Sequence, residues 1–306
     1  MIIAVFPGQG SQTPGFLTPW LELDGARERL EAFSEQSGVD LVAAGTEWDA
    51  DRIRDTSVAQ PLIVAASLLS WAALNERAPQ PVAGVAGHSV GEIAALAASG
   101  VVSDDDALRL VGLRGRAMAE AASAVETGMS AVVGGDEAAV LERLETLGLT
   151  PANYNGGGQI VAAGELPALA ELADDAPRAA RVIPLQVAGA FHTRFMEPAV
   201  DALRTAAADV AVSDPNTTLW TNSDGSVVSE GRRALDLVVA QVASPVRWDR
   251  CMASFAERGV TGIIELSPAG ALTGLAKRAL RGTPTVAVKT PDDLDAAVSL
   301  LKEDQA

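Results

Sequence analysis

The chain has 306 residues, with 40 Asp and Glu against 23 Lys and Arg, a formal net charge of −17, two histidines and one cysteine. Those counts exclude a zinc site built on four His/Cys ligands, a three-histidine catalytic metal site and an iron–sulfur cluster, and Cys251 alone allows no intramolecular disulfide. The excess of negative charge argues against non-specific binding to nucleic acid or to an anionic membrane, because either polyanion would be repelled over most of the surface.

At about 150 residues per domain the length suits two domains, or one large α/β unit carrying an insertion. The amino end, Met1 to Gly8, lacks a basic segment and its apolar run is too short for a signal peptide. The apolar stretch Pro61 to Leu74 is interrupted by Ser67 and Ser70 and falls short of the ~20 residues of a membrane span. A cytoplasmic protein with no membrane partner is expected.

Ile2 to Phe6 reads as a buried parallel strand, apolar without alternation, that feeds the turn Gly8-Gln9-Gly10-Ser11-Gln12. The pattern returns at Val82 to Ala86, followed by Gly87-His88-Ser89-Val90-Gly91 and an alanine-rich helix from Glu92 to Ser99. Ser103 before Asp104, Asp105 and Asp106 caps a helix running to about Ala122, since the hydroxyl takes up a free N–H and the carboxylates face the positive end of the dipole. From Gly128 strands are expected at Met129–Val133, Leu149–Asn153, Gln159–Ala163 and Arg181–Val187, with helices at Asp136–Leu147 and Pro167–Ala173. That order, β-α-β-β-α-β, is a ferredoxin-like unit.

The remainder returns to α/β character, with helices at Phe195–Ala208, Arg232–Val242, Arg247–Arg258 and Gly270–Leu280 and strands at Thr218–Asn222 and Gly262–Leu266. The expected architecture is therefore α/β. A discontinuous large domain, 1–125 with 190–306, carries a mainly parallel sheet and a nucleophile elbow, and residues 126–189 form the small inserted domain.

Gly87-His88-Ser89-Val90-Gly91 is a G-x-S-x-G between a strand and a helix. There the glycines permit close approach, the serine is thrown outward, and the Val90 amide faces a developing oxyanion. In isolation the same five residues could be a plain βα turn. A serine needs a base, and the candidates are His88 and His192. His88 adjoins the serine in a bend and suits local bonding or packing. His192, in the loop Gly189-Ala190-Phe191-His192-Thr193, is favoured as the base, with a structural histidine as the other reading.

His192 follows Ser89 by about a hundred residues, with more than about a hundred still to come, unlike the Ser, acid, His order of α/β-hydrolases. No acid stands out as a third member, so a backbone carbonyl could orient the imidazole. The Gly8–Gln12 turn lacks the lysine of a phosphate loop; its Gln9 amide could instead complete an oxyanion hole with that of Val90. Arg114 and Arg116 are about 200° apart on a helix, so at most one faces a given pocket.

Together these motifs resemble the malonyl-CoA:acyl-carrier-protein transacylases of type II fatty-acid and polyketide synthesis. The resemblance rests on Pro7 to Gln12, Ala59-Gln60-Pro61, the elbow with Glu92, Arg114 to Met118, Asn153 to Gly164, Phe191-His192, Gln241 with Ser244-Pro245-Val246, and Leu272 to Leu275. It implies Ser89 as acylated nucleophile, His192 as base, the Gln9 and Val90 amides as oxyanion hole, and Arg114 as the clamp on the malonyl carboxylate. Gln60 and Asn155 are implied near the substrate, a carbonyl near Gln241 as orienter of the imidazole, and Phe191 as a ring that leaves little room for an α-methyl group. Gly189 departs from modular relatives, which often carry a bulkier residue there.

The implied chemistry uses no bound cofactor. Malonyl-CoA is the substrate and holo acyl carrier protein the partner, the phosphopantetheine being carried by that partner. Because such carrier proteins are acidic, a basic docking patch is expected at Lys277, Arg278, Arg281 and Lys289, against the alternative of an ordinary solvated helix end. Three other functions stay open on sequence: a serine thioesterase or hydrolase, the malonyl-transferring subunit of a malonate decarboxylase, and a non-catalytic binding module.

Overall fold

The structure, a computed structural model, describes residues 1–78 and 82–303. The amino-terminal part of the chain contains β1 (Ile2–Phe6), α1 (Ala26–Ser37), α2 (Leu41–Thr46), α3 (Ala50–Arg54), α4 (Thr56–Arg77), β2 (Gly84–Gly87), α5 (Gly91–Ala98) and α6 (Asp104–Ser123). The middle holds β3 (Thr127–Gly134), α7 (Glu137–Thr146), β4 (Thr150–Gly156), β5 (Gln159–Glu165), α8 (Leu166–Asp174) and β6 (Ala180–Pro184). Then follow α9 (Glu197–Ala208), β7 (Thr218–Trp220), β8 (Val227–Val228), α10 (Gly231–Gln241) and α11 (Trp248–Glu257). The chain closes with β9 (Gly262–Glu265), α12 (Ala271–Ala279), β10 (Thr285–Ala287) and α13 (Leu294–Glu303).

Six strands form one sheet in the order β10-β9-β1-β2-β7-β8, parallel except for the β7–β8 hairpin. β1, with all five residues buried, and β2 run side by side with Val5 opposite Ala86 and Phe6 opposite Gly87. Their carboxyl ends, and that of β7 beyond β2, therefore open onto one crevice, where open α/β sheets bind ligands. Three loops meet there, carrying Gln9, Ser89 and Asn222.

The second sheet is antiparallel in the order β4-β5-β3-β6, the ferredoxin-like arrangement expected for the middle segment. It touches the larger unit through Tyr154 N–H, which donates to Val246 O at 2.9 Å, and Val246 N–H, which donates to Ala152 O at 2.9 Å.

Local chemistry sets the element starts, and the one at Ser103 is as expected. Ser103 Oγ accepts the Asp106 N–H at 3.1 Å and opens α6 behind three aspartates. Glu265, buried at the end of β9, accepts the amides of Leu272 and Thr273 at 2.9 and 2.8 Å and so caps α12.

The apolar run at Pro61 proves to be the middle of α4, 22 residues long with Pro61 inside it. By length and composition that helix could cross a membrane, yet 78% of its most apolar window is buried within the protein. A helix apolar on every side belongs in the interior of a large core. Two expected strands end early. β7 stops at Trp220 because Thr221 turns into a hairpin, with its N–H on Ser226 O at 3.0 Å. β6 stops at Pro184, where the chain leaves β3 for the His192 loop.

Candidate active site

The elbow has no room for side chains at its two glycines. A Cβ on Gly87 would lie 2.0 Å from the Gly91 carbonyl carbon, and one on Gly91 would lie 2.2 Å from Phe6 O. Between them Ser89 takes φ = 53°, a left-handed conformation that costs a non-glycine residue about 1–3 kcal/mol and persists only where neighbours enforce it. The Ser89 N–H is held by Asn222 Oδ1 at 2.8 Å. The Val90 and Gln9 amides, by contrast, have no hydrogen-bond acceptor among the described residues. The Gln9 loop is anchored from the side, Gln9 Nε2 donating to Arg54 O at 3.2 Å.

His192 reaches Ser89 from the loop after β6 and has φ = 61°. Its Nε2 lies 2.7 Å from Ser89 Oγ, and its Nδ1 lies 2.8 Å from Gln241 O. A carbonyl can only accept, so Nδ1 bears the hydrogen and Nε2 presents a lone pair to the serine hydroxyl. Burial, reinforced by the charge of Arg114, lowers the imidazole to a pKa of about 3 and keeps it neutral.

His88 behaves as its position in the bend suggests. Its Nε2 pairs with Asn155 Oδ1 at 2.9 Å, its ring meets Trp248 edge-on at 5.7 Å between centroids, and burial depresses its pKa. Asn155 also donates to Gln159 Oε1 at 2.9 Å, so it reaches the elbow through His88. Phe191, beside His192, is buried.

Arg114 is 1% exposed. Close packing of α6 on α4, where a Cβ on Gly115 would sit 2.9 Å from Thr56 O, sets it against Gln60. Its guanidinium donates to Gln60 Oε1 at 2.6 Å and to Gln241 Oε1 at 3.1 Å, while the Nε hydrogen has no partner. No carboxylate lies within ion-pair distance of it among the described residues. Burial pulls its pKa down to about 10, opposed by the Glu92 charge. Arg116 points elsewhere, donating to Ser37 O at 2.9 Å.

Two residues that the sequence reading did not single out for the site complete it. Glu92, raised to a pKa of about 8 by burial, accepts the Asn222 N–H at 2.7 Å and touches Gln241 Nε2. Asn222 is fully buried against the elbow. Its signal was an amide side chain two residues past the apolar end of a strand, where nothing in a sheet would require one. A cavity of about 270 Å³, lined by Tyr154, Ser223, Gln241, Ser244 and Arg247 among others, opens beside Gln241.

Lys277 and Arg278, in the last turn of α12, and Arg281 and Lys289 beyond it are all exposed, and none forms an ion pair among the described residues. No group of three or more His, Cys, Asp and Glu side chains among those residues is placed to hold a metal ion.

The acyl transferase domain family matches residues 3–303. The malonyl CoA-acyl carrier protein transacylase of Mycobacterium tuberculosis is 54% identical over 304 residues, 98% of this chain and 100% of that protein, and the Escherichia coli enzyme of the same name is 34% identical over 97% and 98%. The crystal structure of the Mycobacterium tuberculosis protein superposes with a TM-score of 0.94 at 53% identity, covering 97% of this chain and 100% of that one. A type II polyketide-synthase acyl-carrier protein in complex with its malonyl-transacylase gives 0.92 at 30% identity, covering 97% and 99%. A serine hydroxyl on a neutral imidazole, a buried arginine with a free N–H and full-length likeness at this identity converge, and the chain belongs to the malonyl-CoA:acyl-carrier-protein transacylases.

Proposed function

We infer that this chain transfers the malonyl group of malonyl-CoA to the phosphopantetheine thiol of holo acyl carrier protein, through a malonyl ester on Ser89. The observation that carries the reading is the 2.7 Å contact between Ser89 Oγ and His192 Nε2 beside the buried guanidinium of Arg114.

His192 Nε2 takes the Ser89 proton as Oγ attacks the thioester carbonyl, and the Gln241 carbonyl steadies the Nδ1–H of the imidazolium that forms. The oxyanion is received by the Gln9 and Val90 amides, whose hydrogens are otherwise uncommitted. Collapse breaks the C–S bond, and the CoA sulfur leaves with the proton from His192. In the second half, His192 takes the proton of the carrier-protein thiol. The thiolate attacks the ester carbonyl, and Ser89 Oγ leaves and recovers that proton. A base that is neutral at rest serves both halves.

Arg114 distinguishes malonyl from acetyl. A planar guanidinium binds a carboxylate through two parallel hydrogen bonds, and its free Nε hydrogen supplies one of them. Gln60 holds the guanidinium from one side, Phe191 limits the room at the α-carbon, and Asn155 supports the elbow through His88. The exposed cations Lys277, Arg278, Arg281 and Lys289 would meet the acidic carrier protein.

The same reading divides the chain into 1–125 with 190–306 and an inserted 126–189, supported by the two separate sheets; residues 79–81 and 304–306 of that division lie outside those described. A cytoplasmic site of action accords with the one free, buried cysteine, Cys251. The test is intact mass after mixing with malonyl-CoA, then with holo carrier protein. A malonyl adduct on Ser89 that persists until the carrier thiol arrives is expected, whereas rapid release of free malonate would identify a thioesterase.

A further inference from the structure

Asn222, in the loop two residues past the carboxyl end of β7, has every hydrogen-bonding group engaged. Its Oδ1 accepts the Ser89 N–H at 2.8 Å and Gln241 Nε2 at 3.1 Å, while Nδ2 donates to Gly87 O at 2.7 Å and faces Cys251 Sγ at 3.7 Å. Its backbone N–H is on Glu92 Oε1 at 2.7 Å and its carbonyl accepts the Arg247 N–H at 2.8 Å. The two elbow contacts fix which way the amide faces, since a backbone N–H must meet oxygen and a backbone C=O must meet nitrogen.

Those contacts flank His88, one on the peptide before it and one on the amide of Ser89, and Gln241 Nε2, itself on Asn222 Oδ1, reaches Ser89 O at 3.3 Å on the far side of the residue with φ = 53°. We propose that Asn222 is a positioning residue, which clamps Gly87 and Ser89 from a neighbouring loop and so holds the serine in the left-handed conformation that directs Oγ at His192. By occupying the Ser89 amide it also leaves the adjacent Val90 amide as the free donor on this side of the crevice. Asn222 touches neither Ser89 Oγ nor His192 in this arrangement. Its effect is on geometry, and a misplaced nucleophile slows every acyl donor alike.

The inference rests on Ser89 being the nucleophile, and its test separates the two. Asn222→Asp keeps the size and the Oδ1 acceptor but sets an oxygen against Gly87 O, and Asn222→Ala removes both contacts. The kcat for Ser89 acylation is expected to fall about tenfold to a hundredfold, by the same factor with malonyl-CoA and acetyl-CoA, with the malonyl-CoA KM within about twofold. Labelling of Ser89 by a fluorophosphonate, in which Oγ displaces fluoride, should slow by the same factor. Folded variants with wild-type kcat, or a loss confined to KM or to one acyl group, overturn the proposal.

Should neither variant fold, hydrogen exchange on the unmodified protein decides: a slowly exchanging Ser89 amide supports the clamp and a promptly exchanging one refutes it. Wild-type protein that reacts with the phosphonate but not with malonyl-CoA refutes the transacylase reading and leaves the clamp to be judged by phosphonate rates. A Ser89 that reacts with neither refutes both.

Discussion

The two sheets handle polar and apolar groups in opposite ways. At the carboxyl end of the six-stranded sheet, Glu92, Arg114, Asn222 and Gln241 are buried and bonded to one another around a serine and a histidine that both sit at positive φ. Around the four-stranded sheet the acidic partners face solvent, as where Glu171 and Asp175, 61% and 82% exposed, pair with the half-buried Arg143 of α7 at 3.2 Å. There it is apolar residues, Ile183 and Leu185 near the β6 edge, that are exposed. A buried polar network is costly if any member is lost, whereas exposed pairs contribute little. On the proposed mechanism the difference is expected to separate residues that determine rate from residues that only maintain the fold.

The most severe break is expected at Ser89, the proposed nucleophile. Ser89→Ala is expected to abolish the malonyl adduct and lower transfer by about 10⁴-fold or more, and His192→Ala by about 10²- to 10⁴-fold, both without loss of fold. Intact mass and single-turnover rates measure this. A malonyl adduct formed by Ser89→Ala at the wild-type rate would place the chemistry elsewhere.

Arg114→Ala tests the network rather than the nucleophile. Removing one partner of a buried ion pair costs about 3–5 kcal/mol, so malonyl acylation should fall by about a hundredfold to a few thousandfold while acetyl acylation falls far less. Unchanged malonyl-to-acetyl discrimination would be incompatible with a carboxylate clamp.

The serine side of the Ser89–His192 contact was legible because its motif is local. A G-x-S-x-G between apolar strand and helix announces itself within about ten residues. The two-histidine composition narrowed the base to His88 or His192, and the loop position favoured the latter. Asn222 and the side-chain role of Gln241 were not legible, because the groups that need them lie on β2, α5 and α6, far away in sequence, and only strand order brings β7 beside β2. The same limit hid α1 to α3: short helices of mixed polarity carry no strong periodicity, and they are held by packing on α4 and α6 rather than by pattern alone.

The buried environment also predicts a pH profile. His192 has a folded pKa of about 3, below its ordinary value of 6.5. Acylation should therefore hold nearly constant from pH 7, below the pKa of about 8 of Glu92, down to pH 5, where an ordinary histidine would be protonated and lose about thirtyfold. The sign for stability is the reverse of an ion-paired histidine: the unfolded chain takes up the proton first, so this group's contribution is full above pH 6.5 and is lost as pH falls from 6.5 towards 3. A pH–rate profile with its acid limb near 6.5 would contradict the burial. Arg114→Ala should move that limb upward, because the guanidinium charge is part of what holds the imidazole neutral.

The smallest effect is expected at the opposite extreme of the comparison. Ile183 is 43% exposed on β6, an edge strand that among the described residues pairs with β3 alone. Ile183→Thr keeps β-branching and the extended preference while removing apolar surface that water already reaches. Its stability should change by no more than about 0.5 kcal/mol, and the rate of Ser89 malonylation should stay at the wild-type value. Denaturant unfolding and the acylation assay together read both quantities. A destabilisation several times larger would mean that Ile183 is covered in solution, since lost burial, unlike lost exposure, scales with the apolar area returned to water.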